Sequence, residues 1–266
     1  MPDASAKRGW FASLPNDSTT KTLIVAIALC LVCSVAVSMT AVALKPLQTK
    51  NATQARELQI LRVADLLEEG VDQAVLFEQV TPRMLDMDSG EFTESYEARS
   101  FDLLAAARDP TIAEPLPQER DIAEIGVRMR YMPVYLVEDD DGLETVVLPV
   151  WTKGLYSTLR GYLALRGDGE TVQGLTFYED GETPGLGGEI NNPRWQAQWR
   201  DKQVFDDTGA VRIAVTKNAT EPDYDIDALS GATLTSRGVD NMMKFWMGED
   251  GYGPFLANLR SGGGGQ

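Results

Sequence analysis

The 266-residue sequence contains no histidine. This absence excludes a Ser-His-Asp triad, an imidazole general base and a His-ligated metal site. The two cysteines, Cys30 and Cys33, lie inside an apolar run, where two small membrane-helix residues are a better interpretation than a zinc or thioredoxin-like site. The sequence therefore predicts no catalytic side chain and no metal.

Basic residues are also scarce. The chain has 24 Lys and Arg against 40 Asp and Glu, a formal net charge of -16. Proteins that bind nucleic acid neutralise phosphates with clustered Lys and Arg, and this sequence has no basic stripe. Nucleic acid is therefore excluded as a partner. A hydrophobic content of 43% is enough for the core of one or two domains.

One long apolar run is present. Residues 23–44 carry no charge. At a helical rise of about 1.5 Å per residue the run is roughly 33 Å long, enough to cross a lipid bilayer. Ala41-Val42-Ala43 is typical of a signal-peptide cleavage site, but the run exceeds the ~7–15 apolar residues of such peptides. The pattern favours an uncleaved transmembrane helix, whose orientation the flanking charges do not decide.

The rest of the chain predicts one α+β domain. Residues 45–125 are expected to be a juxtamembrane helical region, with apolar residues at helical spacing over 52–69. The pattern then changes to a mainly antiparallel sheet with flanking helices, and Asp140-Asp141-Gly142 is typical of a hairpin turn. Helices are predicted near 193–199 and 236–247, and a disordered tail at 261–266. The predicted strands are 128–137, 144–151, 160–166, 171–180 and 211–217.

A hydroxyl-rich motif, Ser230-Gly231-Ala232-Thr233, precedes the last predicted helix. Thr233 or Thr235 could cap that helix, as Ser and Thr often do. Alternatively, the free N–H groups of the helix N-terminus could bind a phosphate, with Gly231 allowing close approach. No base is nearby, so Thr233 is a poor nucleophile but a possible acceptor for a group that another enzyme activates. Asp227 could orient that reaction or begin the turn.

A second motif is the glycine-rich stretch Thr183-Pro184-Gly185-Leu186-Gly187-Gly188-Glu189. Pro and Gly set turn geometry, so it could be only a loop. It could also form a backbone wall against a flat ligand, with Leu186 packed on the ring.

The two motifs together resemble one known family. "GETPGLGGEINNPRWQAQW" at 181–199 and "DALSGATLTS" at 227–236 are similar to the FMN-binding domain of the NqrC family, which belongs to the sodium-translocating NADH:quinone oxidoreductases. "KGLYSTLRGYLAL" at 153–165 and the single N-terminal span also fit. The resemblance implies a cytoplasmic segment at 1–22, a transmembrane helix at 23–44 and an FMN-binding domain at 126–260. It places this domain on the periplasmic side of a bacterial inner membrane.

The resemblance also implies covalent FMN. In this family a flavin transferase joins FMN through its phosphate to a threonine, within a pattern that maps onto Asp227, Ser230, Gly231, Ala232 and Thr233. Thr233 is the expected attachment point, and Thr235 the alternative. The flavin ring is expected to lie against Thr183, Gly185, Leu186 and Gly187, with Leu155, Tyr156 and Lys217 as further candidates.

The implied function is electron relay. In the family, electrons pass from NADH through flavin and iron–sulfur centres of other subunits to this FMN. They continue to a second covalent FMN in a neighbouring subunit and then to quinone, coupled to sodium export, so the chain would not be active alone. Two alternatives stay open: the homologous RnfG family of Rnf-type ferredoxin:NAD oxidoreductases, and a membrane-tethered binding module without a redox role.

Overall fold

The computed structural model describes residues 15, 18–140 and 142–262. The chain divides into two compact units, Met1–Ala55 and Arg56–Gln266. Helix α1, Thr19–Val63, contains the predicted span 23–44 and has an 18-residue window with a mean hydropathy of 2.6. Within the described residues it is the one helix long and apolar enough to cross a membrane. Most of the predicted segment 1–22, Asp141 of the predicted turn and residues 263–266 of the predicted tail lie outside the described residues.

The second unit is built on a six-stranded antiparallel sheet with strand order β2-β1-β5-β6-β7-β8. Two small two-stranded sheets accompany it: β3 with β4, antiparallel, and β9 with β10, parallel. The predicted α+β fold with a mainly antiparallel sheet is confirmed. The strands are β1 Val80–Asp86, β2 Glu91–Thr93, β3 Ala113–Pro115, β4 Val127–Met129, β5 Tyr131–Asp139, β6 Gly142–Lys153, β7 Thr158–Arg166, β8 Val172–Glu179, β9 Ala214–Thr216 and β10 Asp225–Asp227.

Short helices flank the sheet, and two longer ones close the chain. The helix predicted near 193–199 is a turn of α-helix continued by a 3₁₀ turn, Ala197–Trp199. The one predicted at 236–247 begins three residues earlier, at Thr233. The helices after α1 are α2 Gln73–Leu76, α3 Leu103–Ala106, α4 Pro193–Gln196, α5 Thr233–Trp246 and α6 Gly253–Arg260.

Region 45–125 needs a correction. It was expected to be helical, but it contributes β1 and β2 to the main sheet and β3 to a small one. Strand β1 pairs with β5 over its whole length, from Val80 opposite Val137 to Asp86 opposite Tyr131. Its hydrogen-bond partner thus lies about fifty residues further along the chain, and local patterning does not report such long-range pairing. The domain boundary at residue 126 stays a prediction.

The two faces of the sheet pack against different layers. Along β6, Val146, Leu148 and Val150 point into the main core, whereas Val147 points to the opposite face. This alternation follows from the two-residue period of a strand. The main core includes α5 and α6. The opposite face is covered by the end of α1 and by the segment around α2, through Ile60, Leu61, Val63, Ala64, Leu76 and Phe77.

Helix α5 packs unusually close to β6. A Cβ at Gly238 would lie 2.6 Å from the carbonyl oxygen of Lys153, so only glycine permits this approach. The buried Thr152 hydroxyl donates to the Gly238 carbonyl (3.1 Å), and Trp246 Nε1 donates to the Trp151 carbonyl (2.8 Å). These contacts place the first turn of α5 beside the end of β6.

Candidate functional site

The segment that leads into α5 is anchored by its backbone. Asp225 accepts hydrogen bonds from the N–H groups of Glu221 (2.9 Å) and Thr220 (2.8 Å), which lower the pKa of its carboxyl group. Asp227 donates its N–H to Gln198 (3.0 Å) and accepts from Trp195 Nε1 (2.8 Å). Its own carboxylate is exposed, and within the described residues it forms no hydrogen bond.

The four hydroxyls between residues 230 and 236 differ in accessibility. Thr235 is only 1% exposed and donates to Glu182 Oε2 (2.7 Å). Ser236 is 3% exposed and accepts from the Leu229 N–H (2.9 Å). Ser230 and Thr233 are exposed and line a common cavity. Two hydroxyls therefore hold the fold together, and two face solvent.

The start of α5 carries no side-chain cap. Ala232 is the N-cap residue, Thr233 is the first helical residue, and no side chain caps the first N–H groups of the helix. The interpretation of Thr233 or Thr235 as a helix cap is therefore wrong. The first N–H groups of a helix lack partners within the helix, and with the helix dipole they favour a bound anion.

The cavity beside Thr233 has a volume of about 700 Å³. This lies within the range of about 300–1,000 Å³ that is usual for small-molecule sites. Its cations are Lys217 and Arg237, and neither forms an ion pair within the part of the chain that the structure describes. Its acid, Asp240, already bonds Lys244 (2.6 Å). The lining residues are Val215, Thr216, Lys217, Ala228, Leu229, Ser230, Gly231, Thr233, Ser236, Arg237 and Asp240.

Arg237 is a site residue that the sequence reasoning missed. It lies four residues after Thr233 in α5, so the two side chains share one face of the helix. That spacing was the available signal. Two cations, two accessible hydroxyls and an uncapped helix N-terminus form a donor set that suits a phosphate monoester or diester.

The glycine-rich loop lies against the hydroxyl motif. Gly231 has φ +76°, and a Cβ at this position would lie 3.1 Å from Leu186 Cδ2. Leu186 itself is 45% exposed. The carbonyl of Thr183 accepts from the N–H groups of Leu186 (3.1 Å) and Gly188 (3.0 Å), while Gly185 adopts φ +79°. The tertiary structure thus brings the two motifs into contact.

The remaining predicted residues lie on the turn between β6 and β7. Leu155 is 43% exposed and lines a second cavity of about 170 Å³, together with Leu234 and Arg237. Tyr156 exposes its ring and donates its N–H to Glu182 Oε1 (3.0 Å). Of the predicted residues, Lys217, Ser230, Gly231 and Thr233 line the large cavity, and Leu155 lines the smaller one. Neither lining includes Tyr156, Thr183, Gly185, Leu186 or Gly187.

Glu182 is the second residue that the sequence reasoning missed. Its carboxylate is buried and fills the space beside two glycines. A Cβ at Gly187 would lie 2.4 Å from Glu182 Oε2, and a Cβ at Gly154 would lie 2.5 Å from Oε1. The signal was an acidic residue directly before a run of small residues.

Comparison with known proteins defines the class of the domain. Residues 154–248, which include both motifs, match the FMN-binding domain family. The NqrC protein of the Na(+)-translocating NADH-quinone reductase of Pseudomonas aeruginosa is 46% identical over 93% of this chain and 98% of its own length. The corresponding protein of Yersinia pestis is 45% identical over 93% of this chain and 95% of its own length.

Solved structures agree. The crystal structure of NqrC from Shewanella oneidensis superposes with a TM-score of 0.71 at 36% identity, covering 79% of this chain and 99% of that chain. The corresponding protein from Parabacteroides distasonis gives a TM-score of 0.63 at 26% identity, over 80% and 96% of the two chains. The chain belongs to the NqrC family of the Na⁺-translocating NADH-quinone reductases. The predicted family is confirmed, and the RnfG family and the non-redox binding module are set aside.

A substitution at Gly187 tests the packing of this site. Gly187→Ala places a methyl group against Glu182 and Thr235, so we expect it to lower the free energy of unfolding by about 1–3 kcal/mol. Gly174→Ala is the control, because a Cβ there meets Val63 at an ordinary 3.4 Å. That variant should be as stable as the parent or slightly more stable. Denaturant unfolding of the detergent-solubilised chain measures both, and equal stabilities would contradict the close contact.

Proposed function

We propose that this chain carries FMN as a phosphoester on Thr233 and relays electrons within the Na⁺-translocating NADH-quinone reductase. The observation that supports this most strongly is the placement of Thr233. Its exposed hydroxyl stands at the uncapped N-terminus of α5, on a cavity that also presents Lys217 and Arg237. Thr235, the alternative acceptor, is buried and bonded to Glu182.

The residues around Thr233 fit a flavin phosphate. Lys217, Arg237 and the first N–H groups of α5 would bind its negative charge. The chain is acidic overall, so a cationic site of this kind is distinctive. The exposed apolar side chains of Leu155, Leu186 and Leu234 would exclude water from the ring. FMN supplies the electron-transfer chemistry itself, and the protein supplies binding and electrostatics.

The accessible part of the motif fits modification by a second protein. Asp227, Ser230, Gly231 and Thr233 are all exposed, so a flavin transferase could contact them on the folded domain. The absence of histidine from the sequence agrees with an attachment reaction that a separate enzyme activates. We propose this transferase as a transient partner. The lasting partners would be the subunits that carry the second covalent FMN and the flavin and iron–sulfur centres.

Helix α1 supports a membrane location. We propose that its apolar part spans the bacterial inner membrane once and that the FMN-binding domain lies on the periplasmic side. The most apolar 18 residues of this helix are not buried within the protein. Their exposed apolar surface requires an apolar environment.

Thr233→Ala tests the attachment point. The variant loses one hydroxyl and a methyl group at an exposed position, so the fold should survive. We expect a folded protein without covalent flavin when it is co-expressed with the transferase. Peptide mass mapping and in-gel fluorescence after denaturation measure the adduct. Thr220→Ala, at another exposed threonine outside the cavity, should keep the adduct. An FMN adduct on the Thr233→Ala chain would contradict the assignment.

Arg237→Met tests the phosphate site. In a Thr233→Ala background, we expect non-covalent FMN to bind roughly tenfold or more weakly, because a charge-assisted hydrogen bond of about 1.5–3 kcal/mol is lost. Binding of riboflavin, which has no phosphate, should not change. Flavin fluorescence titration measures both affinities. The matched control is Arg194→Met, which removes an exposed cation from a helix outside the cavity. An equal loss for FMN and riboflavin would place the phosphate elsewhere.

Protease accessibility tests the orientation. Protease added to intact spheroplasts should digest the FMN-binding domain, because a periplasmic domain becomes exposed when the outer membrane is removed. Immunoblotting with an antibody against the domain measures its survival. Protection in intact spheroplasts, followed by digestion after lysis, would place the domain in the cytoplasm.

A further inference from the structure

The buried carboxylate of Glu182 joins three segments of the site. Its side chain is only 7% exposed. Oε1 accepts from the N–H of Tyr156 (3.0 Å), in the turn between β6 and β7. Oε2 accepts from the hydroxyl of Thr235 (2.7 Å), in the first turn of α5. Glu182 itself precedes the glycine-rich loop. One side chain therefore links every segment that carries predicted flavin-site residues, apart from Lys217 and Asp227.

Within the described residues no cation pairs with this carboxylate. Both groups that donate hydrogen bonds to its oxygens are neutral. Burying a charge without a counter-ion is costly, and proteins usually pair such a charge or leave it exposed. Nearby cations are placed otherwise: Lys153 pairs with Glu124 (3.1 Å) and Arg160 with Glu179 (3.3 Å). The site thus holds a buried carboxylate without a cationic partner behind its surface.

Two glycines make room for the carboxylate. A Cβ at Gly154 or Gly187 would lie 2.5 Å or 2.4 Å from its oxygens, so neither position accepts a larger residue without a shift. Gly187 directly follows Leu186, whose side chain contacts Gly231. The carboxylate therefore lies against Gly187, the residue next to the contact between Leu186 and Gly231 that joins the two motifs.

We propose that Glu182 is a positioning residue of the flavin site whose buried negative charge also lowers the reduction potential of the bound flavin. The proposal rests on the proposed function, since it requires a flavin beside this contact. Reduction adds negative charge to a flavin, and a nearby carboxylate opposes that addition. Solvent and salt screen a buried charge less than an exposed one, so the effect of Glu182 exceeds that of a surface acid at similar range.

Glu182→Gln separates the charge from the contacts. The amide keeps the shape of the side chain and can still accept from the Tyr156 N–H, while the negative charge disappears. We expect the equilibrium constant for flavin reduction to increase at least tenfold. For a one-electron couple this corresponds to a rise of at least 59 mV in the midpoint potential. Spectroelectrochemical titration of the flavin-loaded full chain in detergent measures it.

The matched control is Glu189→Gln, which removes one negative charge from the same loop. Glu189 is half-buried and accepts from Asn192 Nδ2 (2.7 Å), but it contacts neither α5 nor the β6–β7 turn through a hydrogen bond. Its substitution should shift the potential by less than a third of the Glu182→Gln shift. An unchanged potential in Glu182→Gln, or equal shifts in both variants, would overturn the electrostatic role.

A flavin-free measurement tests the positioning role by itself. In the full-length apoprotein, the Tyr156 N–H should be protected from hydrogen exchange. Mass spectrometry of peptides that cover 154–160 measures this protection. Glu182→Ala should lower the protection factor at least tenfold, whereas Glu182→Gln should keep most of the protection. Unchanged protection in Glu182→Ala would overturn the positioning role.

The two measurements distinguish this inference from the proposed function. Lost protection in Glu182→Ala combined with an unchanged potential in Glu182→Gln would show that the carboxylate organises the site but does not tune the flavin. That result overturns the electrostatic role, whereas the attachment is tested separately by mass mapping of Thr233→Ala. A raised potential in Glu182→Gln would support the inference even if mass mapping placed the attachment on Ser230 rather than Thr233, because both residues line the same cavity.

Discussion

The close contact between α5 and β6 is the constraint on which the site depends. Gly238 lets the helix backbone approach the Lys153 carbonyl, and the Thr152 hydroxyl donates to the carbonyl of Gly238. Further along, the rings of Trp151 and Trp246 pack with centroids 4.3 Å apart. The helix can therefore neither slide nor rotate without breaking buried contacts. Its N-terminal end, with Thr233, is held at one place relative to the sheet.

Around that fixed helix end the site separates opposite charges. Lys217 and Arg237 face the cavity beside Thr233, and the carboxylate of Glu182 lies behind the glycine-rich wall. For the flavin that we propose, the two cations would attract the phosphate and the carboxylate would oppose reduction of the ring. The chain has a net charge of -16, yet within the described residues the two cations beside Thr233 have no acidic partner.

Much of the fold followed from local patterns. The apolar run 23–44, the alternating strands after residue 127 and the helix after the hydroxyl motif are all present in the structure. Strand β1 was not predicted, because its stability comes from pairing with β5, far along the chain. Strand β2 was also missed; it has three residues and pairs with β1 at the edge of the sheet. At the site, the two motifs were recognisable as glycine- and hydroxyl-rich stretches. Arg237 and Glu182 were missed, because a four-residue spacing from Thr233 and an acidic residue before a loop are common patterns, and only the structure shows that both side chains lie at the site.

The sequence by itself determined the long apolar helix, the family of the chain and the absence of histidine chemistry, and it marked the glycine-rich and hydroxyl-rich stretches. Each of these depends on composition or on residues adjacent in the chain. Only the tertiary structure decided which hydroxyls are accessible, because burial of Thr235 depends on Glu182, 53 positions away. It also decided that Leu186 meets Gly231 and that Arg237 shares a cavity with Lys217. These residues are far apart in the chain, and only the packing of α5 against the sheet brings them together.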